Sequence, residues 1–133
     1  MTGAPRRVRR MTLPRSDCLA RLRQAVLARV IISVRCLPAA LPARIAVTDD
    51  HHLLLASTED AVIAAAQRGD VLSVQIDGLE DDGATWSVMG SGIAALPETE
   101  TATTLSEALT RAVAAGARLI ELPLTVVSGE RVG

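Results

Sequence analysis

Apolar positions recur along the chain with two different periods, and the switches between them mark out the elements. Leu19, Leu22 and Val26 recur at i, i+3 and i+7 behind Ser16, a capping residue type, with Asp17 suited to the positive end of a helix. This spacing predicts a helix from Ser16 to about Leu27. Val30 to Val34 is a β-branched run of strand length that stops before the turn signal Leu37-Pro38. Leu41 to Val47 alternates about Pro42 and Arg44, and Leu53 to Leu55 follows the polar stretch Asp49-Asp50-His51-His52, so the two segments read as a hairpin with a polar tip. Thr58 before Glu59 and Asp60 reads as the cap of a short alanine-rich helix, Ala61 to Gln67, ended by Arg68-Gly69.

The second half repeats the theme. Val71 to Asp77 places Leu72, Val74 and Ile76 on one strand face, Gly78 to Gly83 is a turn, and Thr85 to about Leu96 is a long strand. Gly90 and Gly92 inside that strand call for a bulge, a bend or a close backbone approach. Thr104-Leu105-Ser106-Glu107 fits a capping box, and Leu105, Ala108, Leu109, Ala112 and Val113 form one apolar stripe up to Gly116. Leu119 to Val127 closes as a strand in which Pro123 marks an edge or bulge. The order is helix, three strands, helix, two strands, helix, strand. Links of hairpin length favour a mainly β fold, a six-stranded antiparallel barrel with peripheral helices.

A length of 133 residues fits one domain, placed at 16–133 behind a basic, disordered tail at 1–15. Residues 1 to 35 carry a charge balance of +8 and the remainder −9, which the net value of −1 conceals. The tail has no periodic apolar face and no aromatic for base stacking, so a solvated segment is expected rather than a nucleic-acid arm. Apolar runs such as Ile45 to Val47 and Leu53 to Ala56 are far short of a bilayer span, no secretory core follows the arginines, and a cytoplasmic location is expected.

All basic residues are arginine, and Lys and Tyr are absent, so no amine or phenol can serve as acid, base or nucleophile. Cys18 and Cys36 form no C-x-x-C pair and read as buried thiols rather than a metal or redox site. The adjacent His51 and His52 would point to opposite faces of an extended strand, which suits a solvated turn better than chelation. Glu80, Asp81 and Asp82 lack the spacing of a calcium loop, and no metal site is expected. Phosphate loops, dinucleotide fingerprints and nucleophile elbows are likewise missing.

One stretch is more informative. Val71-Leu72-Ser73-Val74-Gln75-Ile76-Asp77, an acidic turn, and Thr85-Trp86-Ser87-Val88-Met89-Gly90-Ser91-Gly92 resemble the short-chain branch of the pyridoxamine 5′-phosphate oxidase-like family of FMN-binding split barrels. There a strand ending in Asp precedes a G-W-S-V strand that closes with Gly. Cys18 to Arg29 resembles the family's opening helix and its G-R junction, here Ala28-Arg29. Leu37 to Ala43 is similar to its P-x-x-x-P-V strand start, and Thr125 to Arg131 to its closing V-T-G-R. The resemblance spans residues 17–131, and its W-S-V…G part is the specific one.

The resemblance implies a homodimer of split barrels with FMN, or a deazaflavin, in the cleft between subunits, and hence a flavin-dependent oxidoreductase. It names no catalytic side chain. It also implies a phosphate grip made by an R-T pair and a following Lys, positions that read Ala56-Ser57 and Val62 here. Ser57 keeps a hydroxyl, but both cations are gone, a loss worth roughly 10²–10⁴-fold in affinity unless another group substitutes. Arg44 is the first candidate substitute, or else a solvent-facing strand residue; Arg118 and Arg131 rank behind it. Trp86 either walls the flavin cleft or fills the core, and Ser87 either donates to the cofactor or bonds across the sheet. The alternative reading is a flavin-free split-barrel dimer that binds another small planar ligand or a partner.

Overall fold

The computed structural model describes residues 8–48, 51–97 and 105–133. Residues 1–7 of the expected tail, the Asp49-Asp50 part of the expected hairpin tip and Thr104 of the expected capping box lie outside them.

Strand β1 (Arg10–Thr12) and helix α1 (Arg15–Gln24) open the fold, so the segment expected as a tail contributes a short strand. The helix starts one residue before Ser16: Pro14 is its N-cap, without a side-chain bond, and the Cys18 N–H donates to the Pro14 carbonyl at 3.1 Å. Cys18, Leu19 and Leu22 are its buried face, whereas Val26 falls beyond the helix and is exposed. The helix ends early because the chain must turn extended at Ala25 to begin pairing at Leu27.

Strands β2 (Leu27–Val34) and β3 (Leu37–Val47) form a hairpin. Its turn is Arg35-Cys36 rather than Leu37-Pro38, and both residues take left-handed φ, 52° and 65°. That pairing of positive φ values matches the right-handed strand twist. Pro38 and Pro42 lie within β3 instead of ending it. The next strand pairs with β3 only from Arg44 onward, so both prolines stand where one edge has no partner and a missing N–H breaks no ladder.

Strand β4 (His52–Ser57) leads to helix α2 (Asp60–Arg68). The cap expected at Thr58 is displaced: Glu59 is the N-cap and the Glu59 N–H donates to Ser57 Oγ at 3.1 Å. Gly69 stops the helix at φ 72°. Strands β5 (Val71–Leu79) and β6 (Thr85–Ile93) alternate as expected, with Leu72, Val74, Ile76 and Val88 inward. Helix α3 (Glu107–Ala114) is capped by Ser106, whose Oγ accepts from the Leu109 N–H, two residues beyond the expected cap. The last apolar run is two strands, β7 (Arg118–Pro123) and β8 (Val126–Val132), because β7 pairs with β4 while β8 crosses to β6.

The sheet order is β1-β8-β6-β5-β2-β3-β4-β7, and every pairing among the described residues is antiparallel. It curls until Ala95, just past β6, bridges Glu121 of β7. The fold is a mainly β split barrel with peripheral helices; among the described residues it has eight strands rather than six, the additions being β1 and β8. Leu22, Leu53, Leu55, Leu72, Ile120 and Leu122 fill its interior, and Leu54, Ala56 and Leu109 form a second cluster beneath α3. Among the described residues no helix is long and apolar enough to cross a membrane.

The β5–β6 turn carries a pH dependence. The Ala84 N–H donates to Asp82 Oδ1 at 3.0 Å and Arg131 pairs with the same carboxylate, and these contacts hold Asp82 below its ordinary range. A carboxyl with a depressed folded pKa stabilises the fold above its unfolded pKa and loses that contribution as pH falls through the folded value. Asp82→Asn is therefore expected to lower the neutral plateau of Tm modestly and to flatten its fall below about pH 4, where the two proteins converge. Parallel curves for the two proteins would remove Asp82 from the acid response.

Candidate functional site

A cavity of about 610 Å³ opens where α1 crosses the barrel mouth over β2, β5 and β6. Arg21 and Gln24 come from one turn of α1, Leu27, Ala28 and Arg29 from the start of β2, and Gln75, Ile76 and Asp77 from the end of β5. Trp86 supplies the wall from β6. It faces inward with Val88, and opposite it stands Gly78, where a Cβ would lie 2.8 Å from the indole ring. The missing side chain lets the ring lie against β5. On one side Trp86 packs on the aliphatic core and on another it borders the cavity.

The Arg21 guanidinium lies 4.5 Å from the Trp86 ring centroid, a cation–π stack. Its Nη2 donates to Glu80 Oε1 at 2.8 Å, and both side chains are about one-third exposed or less. Three groups from α1, the β5 end and β6 thus hold one another flat. Arg29 is held more loosely: its Nη1 is 3.6 Å from Asp77 Oδ2, with the two side chains 61% and 55% exposed. Such an exposed, long pair contributes little and is easily exchanged for a better partner.

The other expected site residues are dispersed. Ser87 points to the opposite face of β6, opposite Asp77 and Glu130, and lines two shallower concavities of about 430 and 370 Å³. Ser57 is buried at the end of β4, its hydroxyl engaged by the Glu59 N–H. Arg44 is exposed on β3 opposite Leu27 and Ala56 and lines none of these cavities. Arg131 is bound to Asp82, and Arg118 sits opposite Ser57. Ala56 and Val62 are both buried, in the cluster under α3 and in the barrel core respectively. The two histidines part company as well: His51 Nδ1 meets Arg23 at 3.1 Å, whereas His52 Nδ1 meets Glu121 at 3.1 Å.

Arg21, Gln24 and Gln75 were not legible as site residues. Arg21 and Gln24 belong to the polar side of a helix whose apolar side alone carries a sequence signal, and only the tertiary crossing of α1 over β6 brings them to Trp86.

A family model described as Pyridoxamine 5′-phosphate oxidase matches residues 14–131, and the chain belongs to that family. Among solved structures, an FAD-binding protein from Mesorhizobium loti is 19% identical, with 95% of this chain and 98% of that one covered at a TM-score of 0.78. The FAD-binding protein of Mycobacterium smegmatis is 17% identical, with 92% and 98% covered at a TM-score of 0.68. An FAD- and heme-binding protein of the same organism is 15% identical, with 90% and 72% covered at a TM-score of 0.70. At these identities the likeness establishes the fold. No curated protein matches the chain.

Proposed function

We propose that this chain binds a flavin in the Trp86 cavity and acts, as a homodimer, in flavin-dependent oxidation and reduction. The observation that carries the reading is the cavity of about 610 Å³ walled by the Arg21–Trp86 stack. Its volume falls within the roughly 300–1,000 Å³ of small-molecule sites. With Arg21 stacked over its ring and Gly78 packed against it, the indole offers a ligand its edge, and the amides of Gln24 and Gln75 offer donors and acceptors to a heterocycle. Relatives that are by name FAD-binding support a flavin as the ligand. A bound flavin supplies hydride chemistry; the chain's part is to bind and orient the ring and to exclude water from it.

Pairing of two copies is supported by the outer sheet face, where Val71, Ile93 and Val126 are each more than 60% exposed and Met89 lies among them. Exposed apolar side chains grouped on one sheet face suit a contact with another chain. Cys18 is buried as expected whereas Cys36, in the β2–β3 turn, is exposed, and two unpaired thiols suit the reducing cytoplasm.

The test is the visible spectrum of the purified protein, followed by titration with FMN, FAD and a deazaflavin while Trp86 emission is recorded. Trp86 is the sole Trp and there is no Tyr, so the signal reports the cavity wall directly. Saturable quenching by one of the three is expected, and binding of that flavin, read from its own absorbance and emission, is expected to weaken in Trp86→Leu. A folded, colourless dimer with no quenching would overturn the flavin reading and favour a barrel that has lost its cofactor, as the apolar residues at Ala56 and Val62 would allow.

A further inference from the structure

We propose that the anionic, phosphate-bearing end of the cavity's ligand is held by Arg29 and Arg21, from the β2 and α1 side of the barrel. This rests on the flavin reading above and assigns the subsite that reading leaves open. The β4 and α2 positions from which the family resemblance expects phosphate cations are apolar and buried here, Val62 completely. Most other arginines are committed elsewhere: Arg10 to Glu130, Arg15 to the Leu124 carbonyl, Arg23 to His51, Arg68 to Asp70, Arg111 to Glu107 and Arg131 to Asp82. Arg9, Arg35, Arg44 and Arg118 do not line the cavity. Arg29 and Arg21 do.

The two play different parts. Arg21 is fixed as a plane against Trp86 by Glu80, so it presents the remaining edge of a rigid guanidinium beside the ring site. Arg29 stands at the exposed lip with only a 3.6 Å contact to Asp77, and a phosphate would replace that contact with a bidentate, charge-assisted pair. Asp77 then becomes a like charge at the same mouth. Its removal frees Arg29 and lifts a repulsion at once.

Riboflavin and FMN share the ring and differ by the phosphate, so the ratio of their dissociation constants isolates this subsite. Full-length protein is titrated with each, by flavin fluorescence and calorimetry, in the wild type and in Arg29→Gln, Arg21→Gln, Asp77→Asn, Arg44→Gln and the surface control Arg111→Gln. Circular dichroism checks folding. FMN is expected to bind about 10- to 100-fold tighter than riboflavin, a preference that weakens with added salt. Arg29→Gln is expected to bring the ratio to within about threefold while leaving riboflavin affinity in place, Asp77→Asn to widen it, and Arg111→Gln to leave it unchanged. Persistence of the preference in both Arg29→Gln and Arg21→Gln, or its loss in Arg44→Gln instead, overturns the subsite while the flavin reading stands. Binding of neither flavin overturns both.

Discussion

Gly92→Ala is expected to lower stability by about 3 kcal/mol or more, through a collision that no rotamer can relieve. Gly92 is buried on β6 opposite Leu72, and a Cβ built there would overlap the Pro123 carbonyl oxygen. Pro123 ends β7, and this is the seam at which the barrel closes. The Ala95 N–H donates to Glu121 O at 2.9 Å, the Glu121 N–H to Ala95 O at 2.8 Å, and the Thr125 N–H to Ser91 O at 3.1 Å. A methyl group at 92 can be accommodated only by moving backbone, which stretches all three bonds. For a domain of this size the loss corresponds to a fall in Tm of roughly 10–15 °C, read by circular dichroism. Gly83→Ala is the comparison: nothing lies within 4 Å of its added Cβ, and only a left-handed φ of 86° opposes it, a cost of about 1 kcal/mol. Equal melting of the two variants would mean that β6 and β7 are not in contact and that the seam does not exist.

The same glycine marks what the sequence makes legible. Gly90 and Gly92 interrupt a strand pattern, and a close backbone approach is one of the few reasons for that; at Gly92 the approach is real. Val71 to Asp77 reads correctly because β5 buries one face and exposes the other, so its period of two survives in the residues. The Trp86-Ser87-Val88 motif is likewise visible, and of its three residues Trp86 borders the cavity under α1 while Ser87 faces the other side of β6. Punctuation misleads where the residue's usual reason is absent. Pro38 and Pro42 look like breaks, yet they sit on an unpartnered strand edge, while the actual turn is made by Arg35 and Cys36, neither a common left-handed residue. Leu119 to Val127 looks like one strand because the crossover at Leu124-Thr125 is itself apolar, and Leu124 is buried. The caps shift because α1 and α2 begin behind Pro14 and Glu59, which make no side-chain cap bond and so carry no capping signal, while α3 uses Ser106, the second hydroxyl of its capping sequence. For the site, the sequence displays the indole but not its partner. Arg21 meets Trp86 through a crossing of α1 over the barrel, and no local period encodes that contact.

The resemblance suggests a simple repair, Val62→Lys, which would restore a lysine at the position where the family carries one. It is expected to fail, and to cost about 3–5 kcal/mol of stability. Val62 is completely buried in the barrel core with Ala65 and Ala66, on the inner face of α2. An ammonium placed there leaves water for an aliphatic environment, with no carboxylate among the core residues to pair with it. Burial disfavours the charged form, so the folded pKa of the new lysine falls below its unfolded value. Across the window between those two values the unfolded chain binds more protons, and stability must rise with pH. The variant should therefore be weakest near neutrality and recover toward about pH 10, a slope of the same sign as that of Asp82 but displaced to the alkaline side. Urea denaturation at several pH values, with FMN titration of the folded fraction, reads both quantities. A stable Val62→Lys protein that binds FMN more tightly than wild type would mean that the inner face of α2 opens toward the ligand, and the anion subsite would then belong there. Loss of stability without any gain in FMN affinity would mean that the β4 and α2 side has become part of the hydrophobic core, leaving Arg29 and Arg21 as the cations that line the cavity.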